Sequence, residues 1–218
     1  YGHESTARLL LGKGATVDLV RNTGATPLFD ACWSGRESTA RLLLEEGASI
    51  DLANKNGATP PPAACQNDNE GVVKRLLNKG ATVDLAANDG ATPLFAACMN
   101  GHESTVRLLL DNGASVNHVN NSGKTPMLFA CHFKQEAVAR LLARRGAAIT
   151  KQVVDEAKTQ GKRKLAKWLR RVSGHTSLDW ACENRDREGL LRCLRSDEYE
   201  RALPPLAELE ALATRGKA

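Results

Sequence analysis

One period governs this chain. Thr-Pro occurs at 26–27, 59–60, 92–93 and 125–126, and Gly-Ala at Gly14, Gly47, Gly80, Gly113 and Gly146, each 33 residues from the next. Cys32, Cys65, Cys98 and Cys131 keep the same step. Leucines follow it too: Leu10, Leu43, Leu76, Leu109 and Leu142, with Leu11, Leu44, Leu77 and Leu110 beside them. A unit of this size cannot bury an apolar face alone, so its neighbours must stack on it. The period therefore predicts a solenoid with local contacts, and excludes a globule around one centre.

The chemistry inside one unit predicts its local structure. Thr92 stands at a helix N-cap, where its hydroxyl can take an orphan amide of the first turn. Pro93 follows at the first helical position, where a missing N–H costs nothing. Leu94, Ala97 and Cys98 then form an apolar stripe at helical spacing. Asn100-Gly101 breaks the helix, and a second one is expected from His102 to about Asn112, with Val106, Leu109 and Leu110 on one face. Gly113 ends it as C-terminal glycines do. Residues 114–124 are polar and suit an extended, hairpin-like loop. The expected class is all-α: stacked helix-turn-helix units joined by such loops.

Residues 26–57 resemble an ankyrin repeat in their TPL, AC, SGR, RLLL and EEGA elements, and residues 92–123 match more closely. The resemblance runs from residue 1 to about 150. It implies a protein–protein interaction module, monomeric, without cofactor or catalysis. The family's frequent His just after TPL is absent; Phe29, Pro62, Phe95, Leu128 and Asp179 stand there, which predicts packing rather than a polar chain at that position. Residues 1–14 read as a truncated first repeat holding only a second helix, because Gly2 aligns with Gly35 and Gly101. A fragment of a longer array is expected. Residues 15–146 read as four well-formed repeats and 147–171 as a shortened one. In that one Ala157, Gly161, Ala166 and Leu169 register with Ala31, Gly35, Ala40 and Leu43. Residues 172–195 read as a degenerate terminal repeat and 196–218 as a capping helix or tail.

Family members meet partners at loop tips and on the exposed face of the first helix. Transferred by register, the tips are Asn22-Thr23, Lys55-Asn56, Asn88-Asp89 and Asn121-Ser122. The helix positions are Trp33-Ser34, Gln66-Asn67, Met99-Asn100 and His132-Phe133. Trp33, Met99 and Phe133 are large residues where the repeat core requires none, and such types are favoured at binding hot spots; the bland alternative has each leaning on a neighbouring loop. By resemblance again, Asn117 holds the loop position that asparaginyl hydroxylases modify in some ankyrin repeats, where the other units carry Asp18, Asp51 and Asp84.

Other conspicuous residues read as structure. The sequence has 6 Cys; four recur once per unit and Cys182 aligns with them, which predicts small buried core residues rather than disulfides or metal ligands. His3 and His102 share a turn position suited to hydrogen bonding, and His118, His132 and His175 are scattered. No phosphate loop, nucleophile elbow or paired His/carboxylate motif is present. No apolar run approaches the roughly 20 residues a membrane helix needs. The net charge is +5, too mild to point to nucleic acid. The excess is concentrated: residues 151–174 hold 8 basic and 2 acidic side chains. Lys162, Arg163, Lys164, Lys167, Arg170 and Arg171 read either as a solvated helix face, with Leu165, Ala166 and Leu169 packed beneath, or as a nuclear-import or phosphate-binding segment. A catalytic domain outside this sequence is a third reading. Undisulfided cysteines fit an intracellular setting, cytoplasmic or nuclear. Last, Pro60, Pro61 and Pro62 open the second full unit and Asp68 replaces its turn glycine, which predicts a locally loosened repeat.

Overall fold

The computed structural model describes residues 4–173. Its helices run α1 Glu4–Gly12, α2 Pro27–Trp33, α3 Glu37–Glu45, α4 Pro60–Gln66, α5 Glu70–Asn78, α6 Pro93–Asn100, α7 Glu103–Asp111, α8 Pro126–His132, α9 Glu136–Arg144, α10 Lys151–Thr159 and α11 Arg163–Val172. No strand occurs among the described residues. The first helices of successive units, α2, α4, α6, α8 and α10, pack on one another in one layer, and α1, α3, α5, α7 and α9 pack likewise in a second. Residues 147–171, expected as a shortened unit, contain α10 and most of α11; Ala157, Ala166 and Leu169 are buried as Ala31, Ala40 and Leu43 are. The expected terminal repeat and cap, together with His3, His175, Asp179, Cys182 and Cys193, lie outside the described residues.

The core is the periodic set. Leu43, Leu76, Leu109 and Leu142 are buried, as are Cys32, Cys65, Cys98 and Cys131. Phe29, Phe95 and Leu128 fill the position after the TPL element by packing. Leu10, in the same register as Leu43, is 55% exposed, and α1 has no buried residue.

Polar links join each unit to the next. A loop acid takes the backbone N–H of the following unit: Asp18 from Ser49 (3.1 Å), Asp51 from Thr82 (3.1 Å) and Asp84 from Ser115 (2.9 Å). At the start of the second helices, Asn69 donates to the Cys32 carbonyl (2.8 Å), His102 Nε2 to that of Gln66 (3.1 Å) and Gln135 to that of Met99 (3.1 Å). A ring nitrogen facing a carbonyl must carry the proton, so the neutral tautomer of His102 is the Nε2–H form. The turn role expected for His102 is thus an inter-unit hydrogen bond. The hairpin-like loops are closed by pairs such as Asn120 N–H to Lys124 O, 3.0 Å. Gly113 ends α7 with φ 88°. Its N–H reaches Leu110 O (3.2 Å), and that of Ala114 reaches Leu109 O (3.0 Å).

One expectation needs correction. Thr92 sits at the N-cap of α6, but its hydroxyl accepts no amide and is buried without a partner. The first-turn amide of Phe95 is instead bonded to Thr92's own carbonyl at 3.0 Å. The proline-rich unit forms a complete helix, as long as α2, with Pro61 buried. Three prolines occupy its first turn, whose amides have no intrahelical acceptor in any case. What the prolines remove is the cap. Thr26 and Thr125 accept from the amides of Phe29 and Leu128, at 3.0 and 3.3 Å. The residue at that place in α4 is Pro62, which has no N–H, so the Thr59 hydroxyl is buried and unbonded. Thr26→Val is therefore expected to lose about 1 kcal/mol of stability, whereas Thr59→Val is expected to be neutral or stabilising. Urea melts of both variants check this contrast, and equal losses would contradict it.

Candidate recognition face

Loop tips and first helices expose the residues chosen by register. The tips are tied into a row. Lys55 N–H donates to Thr23 O (3.1 Å), Asn121 N–H to Asp89 O (3.0 Å) and Asn121 Nδ2 to Asn88 O (2.9 Å). At the middle junction a Cβ on Gly57 would run into Asn88, so those tips also lie side by side. Each tip is stiffened internally. Asn54 Oδ1 accepts from Asn56 (2.9 Å) and Ala58 (3.0 Å), Asp89 Oδ1 from Ala91 (3.0 Å), and Asn120 Oδ1 from Ser122 (3.1 Å) and Lys124 (3.0 Å). Side chains of Asn and Asp make such turns because they reach backbone N–H groups two residues on. Asn22, Thr23, Lys55, Asn56, Asn88, Asp89, Asn121 and Ser122 are all exposed.

On the helices the register separates the pairs into two rows. Trp33, Gln66, Met99 and His132 form one, and Ser34, Asn67, Asn100 and Phe133 the other. Trp33 is 46% exposed and Phe133 42%. Asn67 Nδ2 holds the Trp33 carbonyl at 2.9 Å, and Asn100 Nδ2 caps back to Ala96 O at 2.9 Å. Met99 and Gln66 are only partly buried, so Met99 is a weaker candidate than the two aromatic residues. Phe133 has ring neighbours on its own helix. It meets the Phe129 ring at 5.9 Å and the His132 ring at 5.0 Å.

Several members of this face were not among the sequence candidates. Phe129 packs edge-on against buried Phe95 at 5.1 Å, and Phe95 against His118 at 6.1 Å. His118 is held in turn by Gly90 O at 3.1 Å, and Lys124 Nζ lies 5.8 Å from the Phe129 ring. A chain of rings thus runs from the core to the surface of α8. The signal was available in register: Phe129 stands where Asp30, Ala63 and Ala96 stand in the other units. Glu156 of α10 occupies the same place one unit further on and bonds His132 Nδ1 at 2.8 Å.

Electrostatics favour a stable link there. The Glu156 carboxyl is held below its usual value, first by the Gln160 amide at 3.0 Å and next by His132. A depressed carboxylate stabilises the fold fully above its unfolded value, and that contribution is lost as pH falls through the folded value. Glu156→Gln is expected to lower stability near neutral pH and to leave it unchanged well below the carboxylate range. Denaturant melts at the two pH values test this, and equal losses at both would contradict it.

The thiols are placed for packing. Burial pushes Cys32 and Cys131 up to about 12, and Cys65 and Cys98 up as well, so none is a thiolate at neutral pH. Among the described residues no three His, Cys, Asp or Glu side chains converge on a metal-sized site. Asn117 takes the inter-unit role of Asp18, Asp51 and Asp84, accepting from Ala148 N–H at 2.8 Å and donating to Gly146 O at 3.2 Å. No described helix is long and apolar enough to cross a membrane.

Paired helices in two stacked layers, with a hydrogen-bonded row of loop tips beside the first layer, define a solenoid repeat protein. A family model for ankyrin repeats, three copies long, matches residues 1–54 and 62–153. The chain belongs to the ankyrin-repeat family, whose members are generally protein–protein interaction modules and typically non-catalytic. No curated protein matches it.

Proposed function

We propose that this array recruits a protein partner on its loop tips and first-helix face, with Trp33 at one end and the Phe129–Phe133–His132 cluster at the other. The observation that carries the reading is the exposure of two large aromatics, Trp33 and Phe133, on the face whose loop tips are all polar and exposed. Rigid aromatic anchors within a polar setting concentrate binding energy at protein interfaces. On this reading the array binds and does not itself catalyse, takes no cofactor and acts as a monomer. It works inside the cell, where buried free thiols suit a reducing environment. Asn117 is the candidate hydroxylation site, and its side chain is tied by two inter-unit hydrogen bonds that an enzyme drawing it out would break.

The test starts from a partner captured on the immobilised chain, then purified and titrated by calorimetry. Trp33→Ala combined with Phe133→Ala is expected to weaken binding by about 2 kcal/mol or more, roughly 30-fold. Both residues are substantially exposed, so the thermal stability of the variant should change little. An unchanged affinity in a folded double variant sinks the assignment.

A further inference from the structure

The second helices share one electrostatic plan, and α11 inverts it. Helices α1, α3, α5, α7 and α9 each begin with a glutamate: Glu4, Glu37, Glu70, Glu103 and Glu136. A carboxylate there complements the positive end of the helix dipole. Four of these also hold an arginine: Glu4–Arg8 (2.9 Å), Glu37–Arg75 (3.4 Å), Glu103–Arg107 (3.0 Å) and Glu136–Arg140 (2.8 Å). With Ala166 and Leu169 in the register of Ala40 and Leu43, the residue at the glutamate position of α11 is Arg163. Lys162 precedes it and Lys164 follows, and the first turn has no acid. Cations at that end work against the dipole, and Lys167 loses the i, i+4 carboxylate its counterparts have.

Nothing within the described residues offsets this. Arg163, Lys164, Lys167, Arg170 and Arg171 are all exposed. Among the described residues none of the five is in an ion pair of the kind that joins Glu103 and Arg107. Among the described residues Arg170 acts on the carboxylate of Asp155, whose lowered pKa is due first to Lys158 and only last to Arg170. The five lie on one side of the helix, about 12 Å from end to end at 1.5 Å per residue. Leu165, Ala166, Leu169 and Val172 are buried on the other. The packed side expected from sequence is therefore present. Arg170 and Arg171 in the last turn suit the helix dipole, but at the other end of the same outer side Arg163 and Lys164 are cations their own helix would be more stable without. Local rules broken without compensation mark functional positions.

We propose that this strip is a second docking surface, for an acidic, carboxylate-rich segment of a protein partner. Charge complementarity selects the occupant: an extended acidic segment of about four residues spans the strip. Two observations set carboxylates ahead of other polyanions. The one aromatic residue of α11, Trp168, is partly buried against the core and has the Arg140 guanidinium 4.4 Å over its ring, so it is poorly placed to stack on a base. The apolar residues Leu165, Leu169 and Val172 are turned inward, so α11 presents no aliphatic wedge to a lipid surface. The strip lies on the second-helix layer, away from the first-helix residues Trp33 and Phe133, and stands independently of the face proposed above.

The experiment uses the full chain and a fluorescein-labelled decaglutamate peptide, read by anisotropy at low and near-physiological salt. Binding is expected at low salt and should weaken as salt rises. Arg163→Glu restores the acidic start of the other second helices and gives Lys167 an i, i+4 partner. That variant is expected to raise the thermal midpoint while weakening the peptide about fivefold or more. Lys167→Glu should weaken the peptide similarly, and Trp33→Ala should leave it unchanged. No peptide binding at low salt, or binding indifferent to both charge reversals, overturns the proposal. So does a lower midpoint for Arg163→Glu, which removes its premise. Tighter binding of duplex DNA or of phosphatidylserine vesicles than of the peptide at near-physiological salt assigns the strip to phosphate ligands and overturns it equally.

Discussion

Leu109→Ala is expected to cost about 3 kcal/mol, and Leu10→Ala less than about 1 kcal/mol, although the two leucines hold the same place in their repeats. Leu109 is fully buried in α7, which packs between α5 and α9. Truncating it removes apolar surface from the core and leaves a cavity that two neighbours must share. Leu10 lies on α1, which among the described helices packs substantially on α3 alone, and it is 55% exposed. Its truncation leaves no void, and only the covered part of the side chain is lost. A consequence follows for cooperativity. In a stacked array, stability is close to a sum of unit terms and nearest-neighbour terms. Leu109 contributes to an interface on either side, so its loss weakens the coupling between the two halves of the array. Urea unfolding followed by circular dichroism should show a lower midpoint and a broader transition for Leu109→Ala. A loss confined to the midpoint, or one equalled by Leu10→Ala, would show that burial does not differ between the units as described.

The period made most of the fold legible. Thr-Pro at helix starts and glycine at helix ends place every helix pair through α9 to within a residue or two, because caps and breakers act locally. What the period could not convey was how each unit departs from its neighbours. Thr26, Thr59, Thr92 and Thr125 look alike in sequence, yet only two of them cap. The difference lies at the third helical residue, where Pro62 lacks an amide and the Phe95 amide bonds a backbone carbonyl instead. The proline-rich unit shows the same limit: the prolines fit the first turn, where missing amides are harmless, and what they change is the Thr59 cap. On the recognition face the loop tips could be placed by register, but their hydrogen-bonded row depends on neighbouring units. Trp33 and Phe133 stood out by size. Phe129 did not, because an aromatic residue beside a TPL-like element reads as core. Asp30 and Ala96 at the same register are partly exposed too, so the position accounts for its exposure. The basic segment gave two readings from sequence, and only the comparison of Arg163 with five aligned glutamates shows why its charge needs an explanation.

Replacing Phe95 by Ala is expected to cost about 4 kcal/mol, the largest loss for any single residue of this face, even though Phe95 is only 1% exposed. Its ring meets Phe129 edge-on at 5.1 Å and 85°, and His118 at 6.1 Å and 87°. Such edge contacts add about 1 kcal/mol to the area they bury. The link to function is positional. Phe129 rests on Phe95, and Phe133 rests on Phe129, so the core ring sets where the surface ring stands. Phe95→Leu separates the two roles. Leucine already fills the equivalent place as Leu128, so the array has room for it, and the expected stability loss is about 1 kcal/mol. The edge support under Phe129 is nevertheless gone. Partner affinity should therefore fall several-fold in Phe95→Leu, in a variant that melts cooperatively and whose changed residue the partner cannot touch. Calorimetry with the captured partner measures the affinity, and a denaturant melt measures the stability. If Phe95→Leu binds as the parent chain does, the ring chain is packing only, and the Phe133 end of the face works without it.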